Sequence, residues 1–332
     1  MNSKLHALQA DPVAVDVTAA INYMDEAVVP SLYRNGRLFT RRDRDGSDGE
    51  FVGMVVDKRR LPVADARALG DSGPGLERSG FAAVADRLRD PDLDFLDHDA
   101  VIERYYPACA ELVGVATGAA RVLAFDHNVR SATGKESGAR VAGGQQVQGP
   151  ARIVHGDYTL TSAPQRLRDL ARPPTGNDTL RAIANGKPLL DADLAEDAIM
   201  RGRFAIINVW RSIRAEPVAR FPMALCDGQS VAPVDLSVFE IHYADRIGEN
   251  YFARYSAAHR WYYYPHLTRD EALLIKQWDS AGPLARSQGQ RADDSDAGAP
   301  CSFSFHTAIR HPGTTGDSPD RWSIEVRCAV IY

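Results

Sequence analysis

Apolar and polar positions change period along the chain, and the changes mark its elements. Over 100–117, Val101, Tyr105, Ala108, Leu112 and Val115 recur at three- and four-residue intervals, predicting a helix with one buried stripe. The apolar run 120–129 then reads as a strand leaving through a polar loop. Residues 131–151, rich in Gly, Gln and Ser, predict a mobile loop or lid. Beyond them β-branched and aromatic runs dominate, at 152–158, 204–210, 234–243, 302–309 and 322–331, each bounded by turn residues. The first 90 residues mix shorter strand-like runs, such as 51–56, with turn-rich stretches such as 71–75. Helices are expected at 161–171 and at 272–278, the latter opened by the capping box Thr268-Arg-Asp-Glu271. The Gly-, Asp- and Ser-rich stretch 281–300 predicts a surface excursion. Many short strands with inserted helices point to a mainly β chain (α+β), a sandwich or barrel with helical buttresses rather than βαβ units.

Length and charge narrow the class. The chain has 332 residues, 39 Lys plus Arg against 44 Asp plus Glu, and a net charge of −5. Without a basic excess to neutralise phosphates, no nucleic-acid partner is expected. No apolar run reaches the roughly 18 residues that cross a bilayer, so no membrane partner is expected either. The first six residues lack the apolar stretch of a secretory signal, which points to the cytoplasm. Cys109, Cys226, Cys301 and Cys328 stand singly, without the spacing of a disulfide framework or zinc cluster. No glycine-rich nucleotide motif or Walker sequence follows a strand.

Candidate chemistry starts at His155. Of nine histidines it alone has an acid two positions on, Asp157. In a strand, positions i and i+2 share a face, so the pair can grip one metal from one side. An imidazole and a carboxylate make two thirds of the facial triad of non-haem Fe(II) oxygenases. His306, inside an alternating apolar run, supplies a third ligand from a later strand. Arg321-Trp-Ser323 follows, and a guanidinium with a nearby hydroxyl suits a carboxylate held away from the metal. The ordered set H-x-D, H, R-x-S resembles the Fe(II)/2-oxoglutarate-dependent oxygenases.

Seven further segments sharpen the resemblance: Phe125-Asp-His-Asn-Val-Arg130, Val154-His-Gly-Asp-Tyr-Thr159, Asn208-Val-Trp-Arg211, His259-Arg-Trp-Tyr-Tyr-Tyr-Pro265, Lys276-Gln-Trp-Asp-Ser280, His306-Thr-Ala308 and Ser323-Ile-Glu-Val-Arg327. From about Tyr105 to the C-terminus they resemble the hydroxylase/desaturase family of secondary metabolism, with the cephamycin 7α-hydroxylase component and the fungal gibberellin desaturase among its members. At Ile309-Arg-His-Pro312 the chain departs from the pattern, where an aromatic and an acidic residue are expected. The resemblance implies a double-stranded β-helix, a cupin-like jelly roll, over 101–332, with an N-terminal α/β extension over 1–100 packed on it. It implies Fe(II) held by His155, Asp157 and His306, 2-oxoglutarate as cosubstrate, and O2. It further implies hydroxylation, desaturation or cyclisation of a small natural-product or amino-acid-derived substrate through hydrogen abstraction, with release of succinate and CO2. Partners would be that small molecule, with room for a second copy of the chain or a pathway enzyme.

Several assignments stay open at this level. Arg321, Ser323 and Arg327 differ by even numbers and would share a strand face, so either arginine can reach 2-oxoglutarate; R-x-S grammar favours Arg321. Substrate candidates are Tyr158 beside the carboxylate ligand, Asn208 and Trp210 on one face of a strand, Arg211 as a carboxylate clamp, and Trp261 in an aromatic wall. Asp126 and His127 are adjacent and should point to opposite faces. His259 and His266 read as structural. Two other classes remain: a catalytically silent binding or accessory protein, and a cupin-like metal oxygenase that does not use 2-oxoglutarate.

Overall fold

The computed structural model describes residues 16–42, 49–142, 146–175, 178–181, 183–293 and 298–332. The N-terminal leader expectation and parts of the 131–151 and 281–300 stretches fall outside these residues. In chain order the strands are β1 (Val17–Met24), β2 (Phe39–Arg41), β3 (Val56–Asp65), β4 (Phe81–Ala85), β5 (Arg121–Ser131), β6 (His155–Gly156) and β7 (Phe204–Ser212). They continue with β8 (Met223–Cys226), β9 (Leu236–His242), β10 (Ile247–Ala253), β11 (Trp261–Tyr263), β12 (Glu271–Asp279), β13 (His306–Ala308) and β14 (Trp322–Ile331).

Two sheets result. The larger runs β1-β3-β11-β8-β13-β6-β10-β9-β2 and the smaller β4-β12-β7-β14-β5. Residues from both meet in an apolar cluster that includes Phe81, Trp210 and Leu273 of the smaller sheet with Met223 and Leu225 of the larger. This is the mainly β, jelly-roll architecture expected. Strands from the first hundred residues take edge positions in both sheets: β1 and β2 bound the larger one and β4 bounds the smaller.

A helix forms over 100–117 as read, but Val115 of its expected buried stripe is 51% exposed. Asp97 accepts from the Ala100 N–H at the start, a π-helical turn spans Val101–Tyr105, and helix Tyr106–Thr117 stops at Gly118, whose φ of 66° a side chain would resist. Its Cys109, Leu112 and Val113 are buried, and the helix packs on β5, β7 and β14. The smaller sheet is therefore covered on both faces, and every residue of β7 is buried.

Four further expectations need correction. Residues 272–278 are not helical: Thr268 and Glu271 do form the local hydrogen bond, N–H to carboxylate at 2.8 Å, but the run belongs to β12, between β4 and β7. A short apolar run fits a buried strand as well as a helix, and pairing on both sides decided it. Strand structure at 51–56 begins only at Val56, with Val52 making a single bridge to Phe39. Pro283, Leu284 and Ala285 of the 281–300 stretch are buried, where the buried Asp293 accepts from the backbone of Leu284 and Ser302. The 131–151 stretch is anchored through helix Ala132–Glu136 and buried Val141 and Val147.

Candidate active site

Register places three polar rows on the inner face of the smaller sheet, because directly opposed residues of antiparallel strands share a face. Arg327 of β14 stands opposite Asp126 of β5 and Asn208 of β7. Glu325 stands opposite Asn128 and Trp210, and Ser323 opposite Arg130 and Ser212. On the larger sheet His155 pairs with His306 and with Phe252, and His306 with Leu225. A histidine-bearing wall thus faces a wall of amides, hydroxyls and ion pairs.

His155, Asp157 and His306 offer ligand atoms that all lie within 4.8 Å of one another. His155 donates from Nδ1 to the Ile153 carbonyl at 2.8 Å, which leaves the Nε2 lone pair for a metal, 3.7 Å from Asp157 Oδ1. Burial, then His306, pushes the His155 imidazole down to about 4, and burial lowers His306 too. Both rings are therefore neutral at pH 7, the form that binds a cation. Gly156 lets the two ligands flank a tight contact: a Cβ there would meet the Phe303 ring at 3.1 Å.

Asp157 crosses the cleft to the opposite wall. Its Oδ2 accepts from Asn208 Nδ2 at 2.9 Å and from Arg327 Nε at 3.1 Å. Its backbone N–H donates to Gln277 Oε1 at 2.9 Å. Burial opposes the charge, but Arg327 and then the two histidines hold the carboxyl well below the usual range.

The two candidate arginines differ. Arg327 is engaged: Nη1 donates to Asp126 at 2.7 Å, and Nη2 lies 3.5 Å from Glu325. Arg321 lies over the Trp210 ring and gives Nη1 to the Phe221 carbonyl, while its Nε and Nη2 have no partner. Burial, then the Arg130 charge, destabilises this cation. The Ser323 hydroxyl is also buried without a partner. Unsatisfied buried donors of this kind suit a carboxylate.

Other expected residues divide by strand parity. Tyr158 is buried, which raises its phenol pKa, while Arg166 and then Arg327 oppose that rise. Asn208 and Trp210 share the inner face. Arg211 does not reach the cleft: its guanidinium donates to Tyr105 Oη, to the Asp86 and Arg269 carbonyls and to the Asp86 carboxylate. Trp261 is likewise displaced from the wall, giving Nε1 to Tyr23 Oη at 2.7 Å; its neighbour Tyr262, opposite Leu225, takes the inward face. His259 meets Tyr23 and Asp235, a structural setting. Asp126 and His127 do point apart, His127 accepting or donating at Tyr106 Oη, 2.8 Å away. Sequence reasoning missed Arg130, Gln277 and Glu325 as cleft residues. Parity with Asp126, Ser323 and Arg327 would have found Arg130 and Glu325.

The comparisons with known proteins agree with this chemistry. Residues 34–331 match the family described as Oxidoreductase/YMDC permease-like domain. The Fe(II)/2-oxoglutarate-dependent dioxygenase nvfI of Aspergillus novofumigatus is 31% identical over 272 residues, covering 80% of this chain and 81% of its own. The hydroxylase/desaturase poxK of Penicillium oxalicum is 26% identical over 346 residues, covering 96% and 92%. In structure, the iron and alpha-ketoglutarate-dependent endoperoxidase NvfI superposes with a TM-score of 0.68 at 24% identity, covering 95% of this chain and 98% of that one. The accessory-protein and 2-oxoglutarate-independent alternatives give way, and the chain belongs to the Fe(II)/2-oxoglutarate-dependent dioxygenases, enzymes that run on Fe(II), 2-oxoglutarate and O2.

Proposed function

We propose that His155, Asp157 and His306 hold Fe(II) and that Arg321 with Ser323 grips the far carboxylate of 2-oxoglutarate. One observation supports this reading: Arg321, lying over the Trp210 ring of the inner face, keeps two buried nitrogens without partners, in a chain whose His155, Asp157 and His306 form a compact group. The donor set fits the ion, since neutral imidazoles and a carboxylate suit Fe(II) and leave open positions. Bound Fe(II), 2-oxoglutarate and O2 supply the oxidising power, with succinate and CO2 as coproducts. The chain contributes position and exclusion of water. Asn208 and Arg327 occupy one oxygen of Asp157 and leave the other to the metal. The Arg130 charge, in the same row as Ser323, supports the carboxylate end of the cleft. Arg327 serves the metal ligand rather than the cosubstrate.

The substrate is a small natural-product or amino-acid-derived molecule, and the reaction is hydroxylation, desaturation or cyclisation at a carbon held beside Tyr158, Asn208 and Trp210. The four cysteines, all free and buried, support a cytoplasmic setting. Among the described residues no helix is long and apolar enough to cross a membrane. Size-exclusion chromatography reads whether the enzyme works alone, as a homo-oligomer or with a pathway enzyme.

The test is Fe(II)-dependent succinate release against a metabolite panel. His306→Ala should abolish it while circular dichroism keeps the fold; turnover retained in that variant removes the triad assignment. Arg321→Ala should weaken 2-oxoglutarate binding, and an effect confined to Arg327→Ala would reverse the assignment of the two arginines.

A further inference from the structure

Asp157 ends a hydrogen-bonded chain that begins well away from the metal ligands in sequence. Thr179 donates its hydroxyl to Asp126 Oδ1. Asp126 presents its other oxygen, Oδ2, to Arg327 Nη1 at 2.7 Å, and Arg327 Nε donates to Asp157 Oδ2 at 3.1 Å. Thr179 is itself fastened, since its carbonyl meets His98 Nε2 at 3.0 Å. The chain therefore joins the turn around Thr179, β5, β14 and the carboxylate ligand in one line of oriented donors and acceptors.

The physical consequence follows from how a guanidinium is held. Arg327 has five N–H donors in a fixed plane. Asp126 and Glu325 take the two terminal nitrogens, so the plane cannot rotate and Nε stays aimed at Asp157. With Oδ2 occupied by Arg327 and Asn208, Asp157 turns Oδ1 toward His155 Nε2. Loss of the Thr179 or Asp126 contact would free the plane, let Oδ2 compete for the metal and blur the ligand geometry. Asp178 and Leu180, on either side of Thr179, line a cavity with Phe125 and Arg166.

We propose that Thr179 and Asp126 are positioning residues for the metal centre: acting through Arg327, they hold Asp157 as a one-oxygen ligand, so the order of the turn at Thr179 sets metal affinity. The proposal rests on the metal assignment above and extends it to residues that touch neither metal nor cosubstrate. The experiment is Co(II) titration of the full chain by calorimetry, without substrate or turnover. Asp126→Asn should weaken Co(II) binding by about tenfold or more, in the range of other residues that orient a ligand, and Thr179→Val, one link further out, by roughly threefold or more. Thr179→Ser, which keeps the hydroxyl, should restore the wild-type value. Arg321→Ala serves as the control and should leave Co(II) affinity unchanged while weakening 2-oxoglutarate binding. Wild-type Co(II) affinity in both Thr179→Val and Asp126→Asn, with the melting temperatures kept, overturns the relay and leaves the triad standing. A wild-type chain that binds no Co(II) overturns both readings.

Discussion

Arg211 and Arg321 are both buried arginines at the smaller sheet, 1% and 3% exposed, yet their surroundings are opposite. Arg211 faces the helix-covered side, and each of its three nitrogens donates, to Tyr105, Asp86 and the Arg269 carbonyl. Arg321 faces the cleft, with one nitrogen bonded to the Phe221 carbonyl and two without partners. Burial alone therefore does not separate the two arginines, and hydrogen-bond completion does. A saturated buried arginine ties elements together; the open donors of Arg321 are the ground for proposing that it takes a carboxylate.

The largest effect expected from this contrast is on stability at Arg211. Arg211→Leu strands Tyr105 Oη and the Asp86 carboxylate, and should lower the unfolding free energy by roughly 3–5 kcal/mol in urea titration. A change under about 1 kcal/mol would mean the site is not a structural tie. Next comes a satisfied histidine. Burial pushes His127 down to about 4 from an ordinary 6.5, so between those values the unfolded chain binds more protons. Stability from this group is complete above pH 6.5 and lost as pH falls to 4, by up to about 3 kcal/mol. His127→Phe should reduce the slope of that part of the pH curve, to which His155 and His306 also contribute, and an unchanged slope would assign the acid sensitivity elsewhere.

Arg321→Gln should do the reverse of Arg211→Leu. Its melting temperature should hold or rise, because a destabilised cation is removed, while 2-oxoglutarate binding should weaken by about 30-fold, about 2 kcal/mol, the scale of a charged hydrogen-bond pair. A fall in stability without a change in 2-oxoglutarate affinity would make the two arginines equivalent. The smallest effect expected is at Gly156. Gly156→Ala presses a methyl on Phe303 at 3.1 Å and should reduce stability by about 1 kcal/mol, read as a lowered melting temperature, with a modest loss of metal affinity.

Much of the site was legible because its spacing carries geometry. A strand's two-residue period puts Asn208 and Trp210 together, and separates Asp126 from His127, whatever the rest of the fold does. The same rule, applied to 261–264, shows that Trp261 and Tyr262 cannot both face the cleft but not which of them does. Arg211 posed the same ambiguity: it follows Trp210, so one of the two must face away. The β12 run was misread because local capping hydrogen bonds exist in either conformation, and only pairing with β4 and β7 chooses.

By itself the sequence determined the ligand types, their order and the donors available to a carboxylate, since these are properties of residue identity and short-range period. It also determined a mainly β chain through its β-branched and aromatic runs. Only the tertiary structure decided which arginine keeps free donors, which aromatic faces inward and that Asp157 is gripped from the far wall by Asn208 and Arg327. Those outcomes depend on register between strands distant in the chain. His155 and His306 become neighbours by a single paired position, and no local preference of either segment specifies it.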